Sequence, residues 1–501
     1  MINIDEAGPA LSRYRSIFWP IKKGELRIFA PLLIIFFLIC FNYSVLKVLK
    51  DALVVTASGS GAEVIPFIKM WGVLPAVLLM TFFFTRLANR FKHETIFYML
   101  IGGFLGFFLL FATVLYPLRE VIHPDGWVDR LSPHLPSGCR GLLAVVRNWS
   151  FSLFYIMAEL WGITIMSVLF WGFANEVLSL EKAKRFYILI MIGGNLATTV
   201  AGQAVASFSS MNISAEQDAW GYTISTLSLL IVCVGMGALA AFRWFEKLLQ
   251  KGDLFSREEA KPRLKDSDSA SLRGNLSYLF RFRPLIFLAV IVVSYNICIN
   301  LTEVAWKDQV KMLYPHPNDF NAYMGKVLSW TGLLATLFGF CVNAFIQKIR
   351  WKALALLTPL ITLITGCFFF VFSFINEAET FFGAAPLLIS VFFGSAQVCF
   401  SKASKFSLFD MTKELAFISL NNETKFKGKA VVDGLGSRIG KSGGSFLYQS
   451  LILSVGSIAS SIPYVAAVFF AVVIAWLYAV YALGKCLKEG FPAEVGSPLK
   501  S

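Results

Sequence analysis

The chain has 501 residues, of which 56% are hydrophobic and only 15% are Asp, Glu, Lys or Arg, against about 25% charged in a soluble domain. With 49 phenylalanines it carries more apolar surface than a water-facing shell can enclose, which excludes an ordinary soluble fold and makes the bilayer its natural solvent. The net charge of +14 would raise nucleic acid as a partner for a soluble protein. Here, however, the basic residues fall mostly in short segments between apolar stretches and read first as an orientation signal, so no nucleic-acid role is expected.

The N-terminal segment is polar and basic, and the first apolar stretch is too long for the core of a cleaved signal, so it is expected to remain as the first membrane helix. In chain order, twelve stretches long enough to cross a bilayer follow, at 26–47, 64–85, 95–117, 147–175, 185–208, 222–244, 284–305, 325–346, 352–374, 384–402, 430–455 and 463–484. The eleventh is the least apolar, because it is rich in Gly and Ser and contains Arg438 and Lys441. The fold class expected is an all-α polytopic membrane protein, with twelve transmembrane helices in two six-helix halves of major-facilitator type.

Basic clusters recur on one side if the helices alternate. They are Arg13/Arg15/Lys22/Lys23/Arg27, Arg86/Arg90/Lys92, Lys182/Lys184/Arg185, Lys348/Arg350/Lys352, Lys425/Lys427/Lys429 and Lys485/Lys488. The stretches 209–221, 375–383 and 456–462 on the other side carry no Lys or Arg. Both termini are therefore expected in the cytoplasm. The first helix ends with Lys50-Asp51 and the seventh with Lys307-Asp308, each after an Asn-bearing apolar run, which fits a weak internal repeat. The expected division is an N-terminal half over 1–242, a basic cytoplasmic linker over 243–283 and a C-terminal half over 284–501.

Neither the eight cysteines nor the four histidines show metal or redox spacing, and no metal or other cofactor is expected. The informative residues are charges within or at the ends of spans, each costing about 2.5–3.5 kcal/mol at a helix centre. Lys47 and Lys50 sit one turn apart on the side where cations are disfavoured. They either snorkel to headgroups or line a cavity for an anion. Glu159 lies mid-span and Glu303 near the end of the seventh helix. Each is either a hydrogen-bonded or interfacial acid, or a carboxyl that binds a proton or balances a lysine when substrate is absent. Lys441 lies in Gly440-Lys441-Ser442-Gly443-Gly444. This is not a Walker A, because Gly434 and Gly440 enclose five residues and no strand precedes them. Glycine-rich backbone does let a helix break or pack closely, and Lys and Arg at such a break can hold phosphate oxygens.

Several stretches together resemble the non-mitochondrial ATP/ADP translocases of chlamydial and rickettsial bacteria and plastids. They are Phe18-Trp19-Pro20-Ile21, Lys50-Asp51, Gly59-Ser60-Gly61-Ala62-Glu63, Ile65-Pro66-Phe67-Ile68-Lys69, Arg147-Asn148-Trp149 and Glu159-Leu160-Trp161-Gly162. Phe170-Trp171-Gly172-Phe173-Ala174-Asn175-Glu176, Ala183-Lys184-Arg185-Phe186, Asn300-Leu301-Thr302-Glu303-Val304 and Gly440-Lys441-Ser442-Gly443-Gly444 follow in order. The resemblance implies a nucleotide carrier of the inner membrane of an intracellular bacterium, working on nucleoside tri- and diphosphates; a monomer is expected. It implies transport roles for Lys50, Glu159, Glu303 and Lys441. Lys47, Arg147, Asn175, Lys307 and Arg438 are placed near the substrate path.

One departure stands out. Strict ATP/ADP exchangers resembled here carry Arg-Asp-Thr-Lys-Asp at the end of the first helix, where this chain has Lys47-Val48-Leu49-Lys50-Asp51. Arg and Lys differ in phosphate geometry. Import of several nucleoside triphosphates, by proton coupling or with broad base preference, is therefore the expectation, with strict ATP-for-ADP exchange and carriage of another anion such as NAD as alternatives. An enzyme is not expected, since no acid cluster suited to a catalytic metal is visible.

Overall fold

The computed structural model describes residues 21–211, 218–251, 282–345, 350–375, 385–418, 432 and 436–489. The cluster Lys425/Lys427/Lys429, Lys348, most of the 243–283 linker and Gly434 lie outside the described residues, as do parts of the stretches without Lys or Arg. Among the described residues every regular element is helical.

The membrane helices are α1 (Leu26–Val55), α2 (Val64–Ala88), α3 (His93–Leu115), α4 (Trp149–Val177), α5 (Leu180–Ser209) and α6 (Ala219–Lys251). The second set is α7 (Arg283–Leu313), α8 (Pro317–Phe345), α9 (Trp351–Ser373), α10 (Pro386–Phe417), α11 (Ser437–Val455) and α12 (Ile458–Glu489). Eleven of these are long and apolar enough to cross a membrane on composition alone, and α11 supplies the twelfth position. Its polarity comes from the Gly, Ser and cationic residues of its first turns.

Three helices run on past the charges that close their apolar runs. α1 continues to Val55, so Lys47, Lys50 and Asp51 lie inside the helix and do not end it. α7 continues to Leu313 and encloses Lys307 and Asp308. α10 continues through a π-helical stretch, Lys405–Phe409, to Phe417, enclosing Lys402 and Lys405. In each case the charge that marks the end of an apolar run is held inside the bundle by partners on other helices.

α1 packs against α4, α5 and α6, and α7 packs correspondingly against α10, α11 and α12. The halves meet along α5 and α8 and along α2 and α11, with α1 also touching α7 and α8. The α5–α8 seam is a backbone-to-backbone approach. A Cβ on Gly202 would stand 2.5 Å from the Gly325 carbonyl oxygen, and one on Gly332 would stand 2.6 Å from that of Asn195. Glycine permits this approach, and hydrogen bonds fill it. Gln203 Nε2 donates to Ser329 Oγ at 3.0 Å, and Ser329 Oγ donates to the Thr199 carbonyl at 3.0 Å. The apolar residues Leu78, Leu79, Phe82 and Phe83 of α2 are exposed, as expected of a lipid-facing surface.

The start of α1 and the end of α12 fall at one end of the bundle. Glu25 receives both arms of Arg185 from the start of α5, at 2.6 and 2.9 Å. The Lys352 ammonium at the start of α9 lies 3.8 Å from the Tyr481 ring near the end of α12. Burial alone would raise the Glu25 carboxyl, but the Arg185 guanidinium and the Lys22 backbone N–H hold it below its usual range.

The opposite, far end is shut. The α1–α2 turn, with Gly59 at φ 62°, lies against the Arg147 guanidinium, and its Ser60 carbonyl accepts from Lys311 of α7. Gly138, in the segment joining α3 to α4, packs on the α11 backbone at Ile452 and Leu453. This end is not free of cations, since that segment holds Arg119, Arg130, Arg140 and Arg147. Arg119 pairs with Asp218 at 3.0 Å, and Arg147 pairs with Asp125 and Asp129.

Candidate functional site

Between the halves, α1, α4, α7 and α10 carry a continuous lysine–carboxylate network. Lys50 Nζ touches Asp51 Oδ1 at 2.9 Å and Glu159 Oε1 of α4 at 3.0 Å. It also lies 3.7 Å from the Tyr155 ring centroid, one helical turn before Glu159. Lys307 Nζ touches Asp51 Oδ2 at 2.8 Å and Glu303 Oε1 at 2.9 Å. Lys402 of α10 reaches the same Glu303 oxygen at 3.1 Å. Lys50, Asp51 and Lys307 are almost wholly buried, with side chains 4%, 2% and 2% exposed.

A second strand of contacts joins α2, α7 and α11. Lys69 Nζ donates to Asn300 Oδ1 at 2.6 Å, and Asn300 Nδ2 donates to the Lys441 carbonyl at 2.9 Å. α11 can lie this close because Gly440 and Gly444 face the α7 surface at Asn296 and Asn300. The Lys441 side chain is exposed, and the charges in its field are Lys405, Glu159 and Asp410. Lys47 has no ion-pair or hydrogen-bond partner among the described residues. It faces a cavity of about 20 Å³ whose wall includes Asp51, Glu303, Trp306 and Lys402.

Local helix geometry aims these side chains. Lys69 and Lys405 lie in π-helical stretches, Ile68–Val73 and Lys405–Phe409, and Glu159 lies two residues before a third, Trp161–Phe170. A π turn widens the helix and rotates the following side chains, and such turns gather at functional sites.

The structure therefore brings together Lys47, Lys50, Glu159, Glu303 and Lys307, and ties α11 at Lys441 to them through Asn300. Arg438 is exposed on the first turn of α11. Two expected residues lie apart. Arg147 is at the far end on Asp125 and Asp129, and the exposed Asn175, near the start of α5, accepts from the Tyr187 hydroxyl. Sequence reasoning missed Lys402, the last residue of the expected tenth span, and Lys405 just past it, and assigned no role to Lys69. A cation at the end of an apolar run, followed by further apolar residues, is the signal that could have found them.

In this network lysines outnumber carboxylates. Lys47, Lys50, Lys69, Lys307 and Lys402 face Asp51, Glu159 and Glu303, and beside them Lys405, Lys413 and Lys441 face Asp410. Such an excess among buried helices is costly unless an anion visits. A larger cavity of about 330 Å³ at the far end fits a polyanion poorly, since its wall holds Glu120, Asp125 and Asp218, with Arg119 already paired to Asp218. Burial keeps His123 there below its ordinary value, so it adds no cation.

The TLC ATP/ADP transporter family profile matches residues 4–487. The chain belongs to that family. It is 41% identical over 488 residues to ADP,ATP carrier protein 1 of Chlamydia pneumoniae, an alignment covering 94% of each chain. It is 37% identical over 487 residues to the chloroplastic ADP,ATP carrier protein 2 of Arabidopsis thaliana, covering 96% of this chain and 78% of the plant protein. Its fold is that of a bacterial homologue of the iron transporter ferroportin solved in an inward-facing state. There the TM-score is 0.57 at 14% identity, over 92% of this chain and 99% of the other. A major-facilitator-like, multi-pass membrane fold in a transporter family is thus established for the TLC-family chain.

Proposed function

We propose that this TLC-family carrier moves nucleoside tri- and diphosphates across a bacterial inner membrane by alternating access of its two halves, as a monomer with both termini in the cytoplasm. The observation that carries the reading is the lysine excess contributed by both halves to one site. Lys47, Lys50 and Lys69 stand on one side, and Lys307, Lys402, Lys405, Arg438 and Lys441 on the other. Together they suit a ligand bearing about three to four negative charges in its phosphates. Arg147 and Asn175 flank the path at its two ends. The names of the chlamydial and plant relatives, ADP,ATP carrier proteins, support the substrate class.

Glu159 and Glu303 balance lysines while the site is empty and are the candidate proton carriers. An inside-negative potential opposes nucleotide entry by about 2.3 kcal/mol per charge per 100 mV. Either counter-export of a nucleotide or co-import of protons must offset that. Lys47, without an ion-pair partner among the described residues and standing where strict exchangers have an arginine, favours broad import of triphosphates over strict exchange.

The test is uptake of α-labelled ATP, GTP, CTP and UTP into intact bacteria expressing the protein, with and without a protonophore, and into liposomes preloaded with ADP or empty. Several triphosphates entering empty liposomes, in a protonophore-sensitive way in cells, is the expected result. ATP entering only against internal ADP would replace import with exchange. Uptake of none of the four would overturn the substrate class.

A further inference from the structure

Among the carboxylates of the central network, Asp51 alone joins the two halves by ion pairs. Its Oδ1 takes Lys50 of its own helix at 2.9 Å, and its Oδ2 takes Lys307 of α7 at 2.8 Å. Glu159 and Glu303 pair only with lysines of their own halves. The Lys-Asp repeat makes Asp308 the counterpart of Asp51 in α7, yet Asp308 makes no ion pair among the described residues. The bridge is therefore one-sided, and it is not a by-product of the repeat.

Both oxygens of Asp51 are spent on the two lysines, one from each half, that a phosphate at this site would also need. A buried carboxylate stripped of its cations is strongly disfavoured. Phosphate on Lys50 and Lys307 and an intact Asp51 bridge are thus competing uses of the same two ammoniums. One turn further along α7, Lys311 donates to the Ser60 carbonyl and shuts the far end, so the bridge lies directly beneath the closure.

We propose that Asp51 is a positioning residue that stands in for a phosphate. In the nucleotide-free carrier it draws Lys50 and Lys307 together across the halves and biases the far end towards closure, and a phosphate at the site displaces it and removes that bias. The inference rests on the reading of the network as the phosphate site. Asp51 touches the lysines and not the substrate, so its effect runs against that of a binding residue. Losing it frees two cations for phosphate while removing the tie that shapes the empty carrier.

The experiment is ATP binding to the purified, detergent-solubilised full chain, together with transport in liposomes, for the wild type, Asp51→Asn and Asp51→Glu. The expected result for Asp51→Asn is ATP binding tightened about fivefold or more, a lower KM and a lower kcat, with Asp51→Glu close to wild type in the ratio of the two. Unchanged or weaker binding by Asp51→Asn, or Asp51→Glu behaving like Asp51→Asn, would overturn the proposal. No ATP binding by the wild type would instead overturn the phosphate-site reading beneath it. Should Asp51→Asn fail to reach the membrane, spin labels at Val121 and Met312, exposed positions of opposite halves at the far end, provide the test in the otherwise wild-type chain. ATP is expected to widen their separation, and an unchanged separation overturns the proposal.

Discussion

Replacing Lys307 with alanine is expected both to destabilise the carrier and to abolish transport. The Lys307 ammonium is shared between Asp51 at 2.8 Å and Glu303 at 2.9 Å, and its side chain is 2% exposed. Without it Asp51 keeps only Lys50, and Glu303 keeps only Lys402. Removing one partner of a buried pair costs about 3–5 kcal/mol, because the charge left behind is uncompensated. The measurement is the amount of protein in the membrane and its thermal midpoint in detergent, alongside uptake. A lower midpoint with no uptake is expected. Pairing Lys307→Ala with Asp51→Asn should restore part of the midpoint, since the two changes share one interaction. A variant with wild-type midpoint and uptake would remove Lys307 from the account.

Lys441→Ala is expected to separate the two effects. Its side chain is exposed, and the hydrogen bond tying α11 to α7 at this point is made by its backbone carbonyl, which accepts from Asn300 whatever the side chain. The fold should survive. Removing one phosphate-binding ammonium from a site of this kind costs about 2–4 kcal/mol, or roughly 30- to 1,000-fold in kcat/KM. Uptake measured at matched membrane levels should fall by that factor, with Lys441→Arg retaining part of it because charge survives without the compact ammonium geometry. Unchanged uptake by Lys441→Ala would show that α11 borders the site without contributing to it.

The division into helices was legible because a bilayer demands long apolar runs and the chain supplies them for every helix but α11. The Lys-Asp pairs of α1 and α7 made the two halves visible as well. What the sequence could not show is where a charged helix stops. Lys307 and Lys402 each close an apolar run, and each lies inside its helix because the compensating charge sits on an element remote in the chain. Asp51 answers Lys307, and Glu303 answers Lys402. For the same reason Lys69 was not recognised, since its partner Asn300 comes from the other half. Lys50, Glu159, Glu303 and Lys441 were legible because a charge within a span is costly enough to need a reason. Arg147 looked alike in sequence, but the structure places it among aspartates at the far end.

The central claim is that the lysine network binds phosphates, and the most direct measurement is equilibrium binding of ATP, ADP, AMP and adenosine to the purified carrier. Affinity is expected to fall stepwise as each phosphate is removed, to weaken with added salt, and to depend less steeply on phosphate number in Lys441→Ala. Adenosine binding as tightly as ATP, or a series unchanged by Lys441→Ala, would contradict the claim.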